Sequence, residues 1–286
     1  MRLNGQVAVI TGGGRGIGLA IARAFAQEGS AILIAARTAE ELAKARAAIQ
    51  SDFAVRCLAR TVDVSRPEEV QEMIEAALRE LGRIDVLVNN AGIYGPIGEL
   101  VDSDLSEWRR AIEVNLFGTV YATRAVLPAM RQQGGGRIIN VAGAGVGGPS
   151  ITPRISAYAA SKAAIVQFTE SIAREVSGWN VQVNAIAPGA VTTEITNAVL
   201  AAGPSRAGAE FFERTVRQKS AGGDPPELAA RLAVLLASGR TGALTGKLLS
   251  AKWDDLEALD PDSVNRSSRY ALRRIDGVLF QEVPKT

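Results

Sequence analysis

The sequence predicts one doubly wound α/β domain, a parallel sheet of about seven strands with helices on both faces. Three observations carry that expectation. Short, unbroken apolar runs alternate with helical patterns from the first residues onward. A glycine-rich loop, Thr11 to Gly18 (TGGGRGIG), joins the first apolar run to the first helical stretch. The 286 residues are 47% hydrophobic and 22% charged, so the chain can cover a sheet on both faces without a disulfide or metal staple.

The elements follow in order. Val7 to Ile10 is an apolar run of the kind a strand buried on both faces requires, and Ala31 to Ala36 (AILIAA) is a second. The segment from Thr38 is helical, with Thr38 and Glu41 spaced as a capping box. A third strand is expected over Val55 to Val62. Ser65 and Glu68 repeat the box, with Pro67 suited to a first helical turn. Asp85 to Asn89, Arg137 to Ala142 and Val181 to Ala187 read as strands four to six. Pro225 to Ala237 is a helix, and Lys247 to Ala251 a last strand. The domain thus spans residues 1–251. Within it, 193–224 is less regular and long enough to form a lid. Residues 252–286 form a C-terminal extension too short for a domain. Such a sheet places its ligand crevice at the carboxyl ends of its strands.

Composition excludes several functions. A net charge of +2 arises from 32 basic and 30 acidic residues, interspersed, so no nucleic-acid partner is expected. There is no histidine and a single cysteine, Cys57, so no metal site is expected and proton chemistry must fall to Tyr, Lys, Asp or Glu. Cys57 lies in a strand-like run and is expected to be a buried, inert thiol. No uncharged apolar run approaches the ~18 residues of a membrane span, and the apolar run near the N-terminus is too short for a signal peptide. A cytoplasmic setting without a membrane partner is expected.

The glycine loop predicts a nucleotide site. Gly12, Gly16 and Gly18 permit a tight turn and let backbone N–H groups approach a pyrophosphate at a helix N-terminus, although the spacing is not the common G-x-G-x-x-G. After the second strand, where an acid would bind the ribose 2′-OH of NAD, stands Arg37, which suits a 2′-phosphate; Arg15 offers a second positive group. NADP(H) is therefore expected over NAD(H). Tyr158 and Lys162, four apart, share one helix face. A tyrosine of pKa ~10 is a poor acid/base at neutral pH, and a nearby ammonium is expected to lower that value.

With the loop, Asn89-Asn-Ala-Gly92, Asn115, Tyr158-x-x-x-Lys162 and Pro188-Gly189 all in order, the chain resembles the short-chain dehydrogenase/reductases over about residues 3 to 251. The resemblance implies a Rossmann-type fold and hydride transfer between a nicotinamide and a small carbonyl or alcohol substrate. It implies Tyr158 as acid/base, Lys162 holding the nicotinamide ribose, and Asn115 supporting a proton relay. Gly12, Arg15, Gly16, Ile17 and Gly18 would surround the pyrophosphate, Asp63 and Val64 the adenine. Asn89, Ala91 and Gly92 would line the ribose side, and Pro188, Gly189, Val191 and Thr193 the nicotinamide. A homotetramer or homodimer is also implied.

Two departures stand out. Where the family carries a serine to bind the substrate oxygen, this chain has Ala142 or Gly143, and the interval to Tyr158 is about two residues longer. Ser156 would point elsewhere from its helix, whereas Ser150 and Thr152 lie in a loop that could fold back to the site. In the extension, Trp253, Leu256, Leu259, Tyr270, Leu272 and Ile275 are expected to pack on the body or on a neighbouring subunit. The absent serine leaves a second reading, a non-catalytic NADP(H)-binding or regulatory protein with the same fold. An epimerase or dehydratase fits the glycine spacing less well.

Overall fold

The computed structural model describes residues 1–143, 145–147, 151–255, 258, 260–267 and 270–272. Seven parallel strands form one sheet in the order β3-β2-β1-β4-β5-β6-β7. They are β1 (Val7–Thr11), β2 (Ala31–Ala36), β3 (Cys57–Thr61), β4 (Val86–Asn89), β5 (Gly136–Val141), β6 (Val181–Ala187) and β7 (Leu248–Ser250). Each strand falls where the apolar runs place it, with ends shifted by a residue or two.

Pleat alternation explains why the runs are continuous. Ala8, Ile10, Ile32 and Ile34 face one apolar layer, with Ile21 and Phe25 of α1 (Gly16–Gln27) and Leu42 of α2 (Ala39–Asp52). Val9, Leu33 and Ala35 face the other, with Met73 and Ile74 of α3 (Pro67–Leu81). A strand covered on both faces has no polar side to show. Cys57 belongs to the first layer, and burial pushes its thiol up to about 11.

The second half of the chain carries α4 (Leu105–Ile112), a π-helical turn at Glu113–Phe117, α5 (Gly118–Gln132) and α6 (Ser156–Glu175). Beyond β6 lie α7 (Glu194–Ala207), α8 (Ala209–Ser220), α9 (Pro226–Ala237) and, in the extension, α10 (Pro261–Arg266). Segment 193–224, expected to be less regular, is largely helical, with α7 kinked at Gly203 and separated from α8 at Gly208. The two predicted capping boxes do not form. Thr38 precedes α2 without a side-chain cap, and α3 begins after Arg66 because Ser65 turns back to hydrogen-bond Asp63.

A buried polar chain ties α6 to the sheet. The Asn89 amide donates to Asn140 Oδ1 at 2.9 Å and to Thr123 Oγ1 at 3.2 Å. Asn140 in turn donates to Thr169 Oγ1 on α6 at 2.8 Å. Orphaning such groups costs about 1–3 kcal/mol. Asn140→Leu is accordingly expected to lower the urea unfolding free energy by about that amount. An unchanged midpoint with an unchanged slope would refute a stabilising role for the chain.

Candidate active site

Strand order reverses between β1 and β4, and the loops leaving the carboxyl ends of both strands diverge there to open a crevice. Thr11, ending β1, joins the two loops. Its hydroxyl accepts from the backbone N–H groups of Asn90 (3.0 Å) and Ala91 (3.2 Å). The Asn90 side chain returns two hydrogen bonds, to the carbonyls of Thr11 (3.0 Å) and Gly12 (3.1 Å). α1 then starts so close to the turn that a Cβ on Gly18 would lie 2.2 Å from the Gly12 oxygen, so no larger residue fits.

The resulting groove has a volume of about 350 Å³. Of the residues expected at a cofactor, Gly12, Arg15, Gly16, Ile17, Arg37, Asp63, Val64, Ala91, Gly92, Tyr158, Lys162, Pro188 and Thr193 line it. Four do not. Gly18 is packed beneath the turn, and Asn89 is spent in the buried chain described above. Gly189 and Val191 face a second cavity. It is Asn90 that holds the glycine turn, because the period-two alternation of β4 directs Asn89 into the fold. Asp63 accepts from Ser65 and Arg110. Burial opposes its ionisation, but these donors outweigh burial and hold the carboxyl below its ordinary value.

The two arginines differ. Arg15 pairs with Glu41 at 3.1 Å and approaches Glu194 of α7 at 3.8 Å. Arg37 is exposed at the groove and makes no ion pair among the described residues. The cradle of close-packed glycines at a helix N-terminus fits a dinucleotide pyrophosphate.

Tyr158 and Lys162 come together on α6. Lys162 is 3% exposed, and its Nζ donates to the Val141 carbonyl at 2.7 Å and lies 5.6 Å from the Tyr158 ring centre. Burial lowers its pKa to about 8. The expectation that this ammonium lowers the tyrosine is not met. Burial pushes the half-buried Tyr158 phenol up, and Tyr94 adds to the effect. Asn115 sits in the π-helical turn and is fully buried. It accepts from Ile93 N–H (2.8 Å) and donates to the Ile93 carbonyl (2.9 Å) and Ser161 Oγ (2.9 Å).

The second cavity, about 720 Å³, meets the first at Tyr158, Pro188 and Thr193. Its walls include Tyr94, Ile155, Val199, Phe211 and, from the extension, Trp253, Asp254 and Tyr270. Leu272 packs beside Ala142, whereas Leu256, Leu259 and Ile275 lie outside the described residues. Of the lid arginines, Arg214 alone lines this cavity, stacked 5.2 Å over Phe211 and donating to Thr152 Oγ1. Arg217 pairs with Glu213, and Arg206 borders a separate surface pocket.

The position facing Tyr158 is Gly143. Ala142 is 1% exposed and packs against Val166 and Ala185. Gly143 has φ +148°, and a Cβ there would stand 3.0 Å from Tyr158 Oη. Ser156 Oγ accepts from the Trp108 indole and so faces α4. Thr152 lines the cavity, and Ser150 lies outside the described residues.

A glycine cradle, a buried lysine and a tyrosine between two adjoining cavities define a nicotinamide-type oxidoreductase site. Residues 6–202 match the family model described as short chain dehydrogenase, and the chain belongs to that family of enzymes, which bind NAD or NADP and act on small molecules. An uncharacterized oxidoreductase of Staphylococcus saprophyticus is 36% identical over 196 residues, 68% of this chain and 82% of that protein. The 3-oxoacyl-(acyl-carrier-protein) reductase FabG of Vibrio cholerae is 37% identical over 251 residues, 87% and 96% of the two chains. The crystal structure of NAD+-bound xylitol dehydrogenase superposes with a TM-score of 0.79 at 31% identity, over 87% of this chain and 98% of that one.

A side chain at Gly143 meets both a positive φ and the Tyr158 hydroxyl. Gly143→Ala is expected to destabilise the protein by about 1–3 kcal/mol, read as a lower Tm. A Tm equal to that of the unaltered protein would show that the loop relaxes freely.

Proposed function

We propose that the chain is an NADP(H)-dependent oxidoreductase that interconverts a carbonyl compound and its alcohol, with Tyr158 as the acid/base. The observation that carries this reading is the Tyr158–Lys162 pair, which stands where the nucleotide groove opens into the second cavity.

The bound cofactor supplies the hydride. Tyr158 Oη exchanges a proton with the substrate oxygen. Burial raises the cost of its phenolate, so Tyr158 stands protonated at neutral pH and suits proton donation in the reductive direction. Lys162 uses one N–H on the Val141 carbonyl, which fixes the ammonium and leaves its other donors for the ribose and the phenol oxygen. Asn115 holds Ile93, and with it the loop carrying Ala91 and Gly92 along the groove. Val191, buried and bridged to Gly223, supports the Pro188–Gly189 turn beside the nicotinamide. Arg37 receives the 2′-phosphate. Arg15 is already engaged by two carboxylates and contributes less. From the extension, Trp253, Asp254, Tyr270 and Ala271 complete the wall of the substrate cavity.

NADPH consumption against ketones, aldehydes, keto acids and 3-oxoacyl thioesters tests the activity. Tyr158→Phe is expected to reduce turnover by about 10²–10⁴-fold while leaving the Kd for NADPH within a few-fold. Full activity in that variant would exclude Tyr158 as the acid/base.

Arg37→Ala removes a charge-assisted contact worth about 1.5–3 kcal/mol, so NADPH is expected to bind roughly 10–100-fold more weakly while NADH is unaffected. Equal weakening of both cofactors, or of neither, would sink the assignment of Arg37 to the 2′-phosphate.

A further inference from the structure

We propose that the Tyr94 hydroxyl replaces the missing serine, donating the second hydrogen bond to the substrate oxygen that Tyr158 protonates. The inference rests on the oxidoreductase reading above and concerns a residue that the glycine loop, the Tyr-Lys pair and the Pro-Gly turn do not include.

Gly143 has no hydroxyl, and its backbone leaves little room for one. Its φ is +148°, and a Cβ would already approach Tyr158 Oη to 3.0 Å. Three nearby hydroxyls among the described residues are engaged elsewhere. Ser156 faces the Trp108 indole, Ser161 donates to the Tyr158 carbonyl, and Thr152 is turned to Arg214. Tyr94 lines the same cavity as Tyr158 and Gly143, and it meets Tyr158 edge to face with ring centres 4.6 Å apart.

The partly buried Tyr94 has no hydrogen-bond partner for its hydroxyl among the described residues, which leaves that group available as a donor in the cavity. Burial drives its pKa up to about 12, so it is a proton-bearing donor at any working pH. A Tyr94 phenolate would raise Tyr158 further, so the two phenols do not ionise together. Lys162 Nζ lies 5.6 Å from the Tyr158 ring centre, so Tyr158 transfers the proton and Tyr94 donates a hydrogen bond without transferring one.

Tyr94 is also held from both sides, as preorganised stabilisation requires. On one side Ile93 is gripped by both side-chain atoms of Asn115. On the other, Gly95 lies so near α4 that a Cβ would come within 2.7 Å of the Ala111 methyl. Phe211 of the lid closes edge-on against the ring at 6.5 Å. Asn115 is thus a positioning residue for the donor.

Tyr94→Phe keeps the ring and its packing and removes only the oxygen. With a carbonyl substrate taken from the NADPH-consumption panel, kcat is expected to fall by about 10²–10³-fold. The Tm and the Kd for NADPH, read by tryptophan fluorescence, are expected to hold. A kcat within threefold of the unaltered protein overturns the proposal, as does a loss of kcat accompanied by equal losses of Tm and cofactor affinity. Tyr158→Phe, measured beside it, separates the two readings. If Tyr158→Phe is inactive while Tyr94→Phe turns over normally, the role of Tyr94 alone fails. If Tyr158→Phe is fully active, or the unaltered protein turns over nothing in the panel, both fail.

Discussion

The hydrogen bond from Lys162 Nζ to the Val141 carbonyl organises the site. An ammonium buried to 3% exposure is costly unless partnered, and here the partner is the last carbonyl of a central strand. That bond sets the depth at which α6 enters the crevice and therefore where Tyr158, four residues earlier, meets the cavity. The Asn89–Asn140–Thr169 chain holds the same helix further along. One face of α6 is thus anchored in the sheet, and its first turns are left to do chemistry.

The second cavity is built differently from the nucleotide groove. Backbone loops pinned by Thr11 and Asn90 shape the groove, so its geometry follows from the sheet. Much of the wall of the second cavity comes from side chains on α7, α8 and the described residues of the extension. The Pro188–Gly189 turn joins the two regions through Asp224, which accepts from Ala190 N–H at 2.7 Å and from Lys252 Nζ at 2.8 Å. Residue 252 opens the extension, so movement there is coupled by two contacts to the turn where the two cavities meet.

Much of the fold was legible because parallel strands covered on both faces leave continuous apolar runs, as β1 and β2 do. The errors have physical causes. Both capping boxes were read from spacing alone, yet the Ser65 hydroxyl donates to Asp63 and accepts from Arg110, and Glu69 takes the Asp63 N–H. The lid's helicity was hidden by its glycines and by Pro204, which kink α7 at Gly203 and separate it from α8 at Gly208 rather than abolish it. Among site residues, Asn89 was misplaced and Asn90 overlooked because two identical neighbours differ only in the face the strand gives them.

By itself the sequence determined the doubly wound sheet, the glycine cradle, the Tyr158–Lys162 pair and the absence of a serine hydroxyl, since all of these are local patterns or residue identities. The tertiary structure alone decided that Gly143, and not Ala142, faces Tyr158. It likewise decided that Arg15 is paired while Arg37 makes no ion pair among the described residues, and that burial overrides the lysine in setting the tyrosine's protonation. It also brought Tyr94 against Tyr158 across 64 positions of sequence. Burial, pairing and contact at that range depend on how the layers close over one another, and no spacing within a single element encodes them.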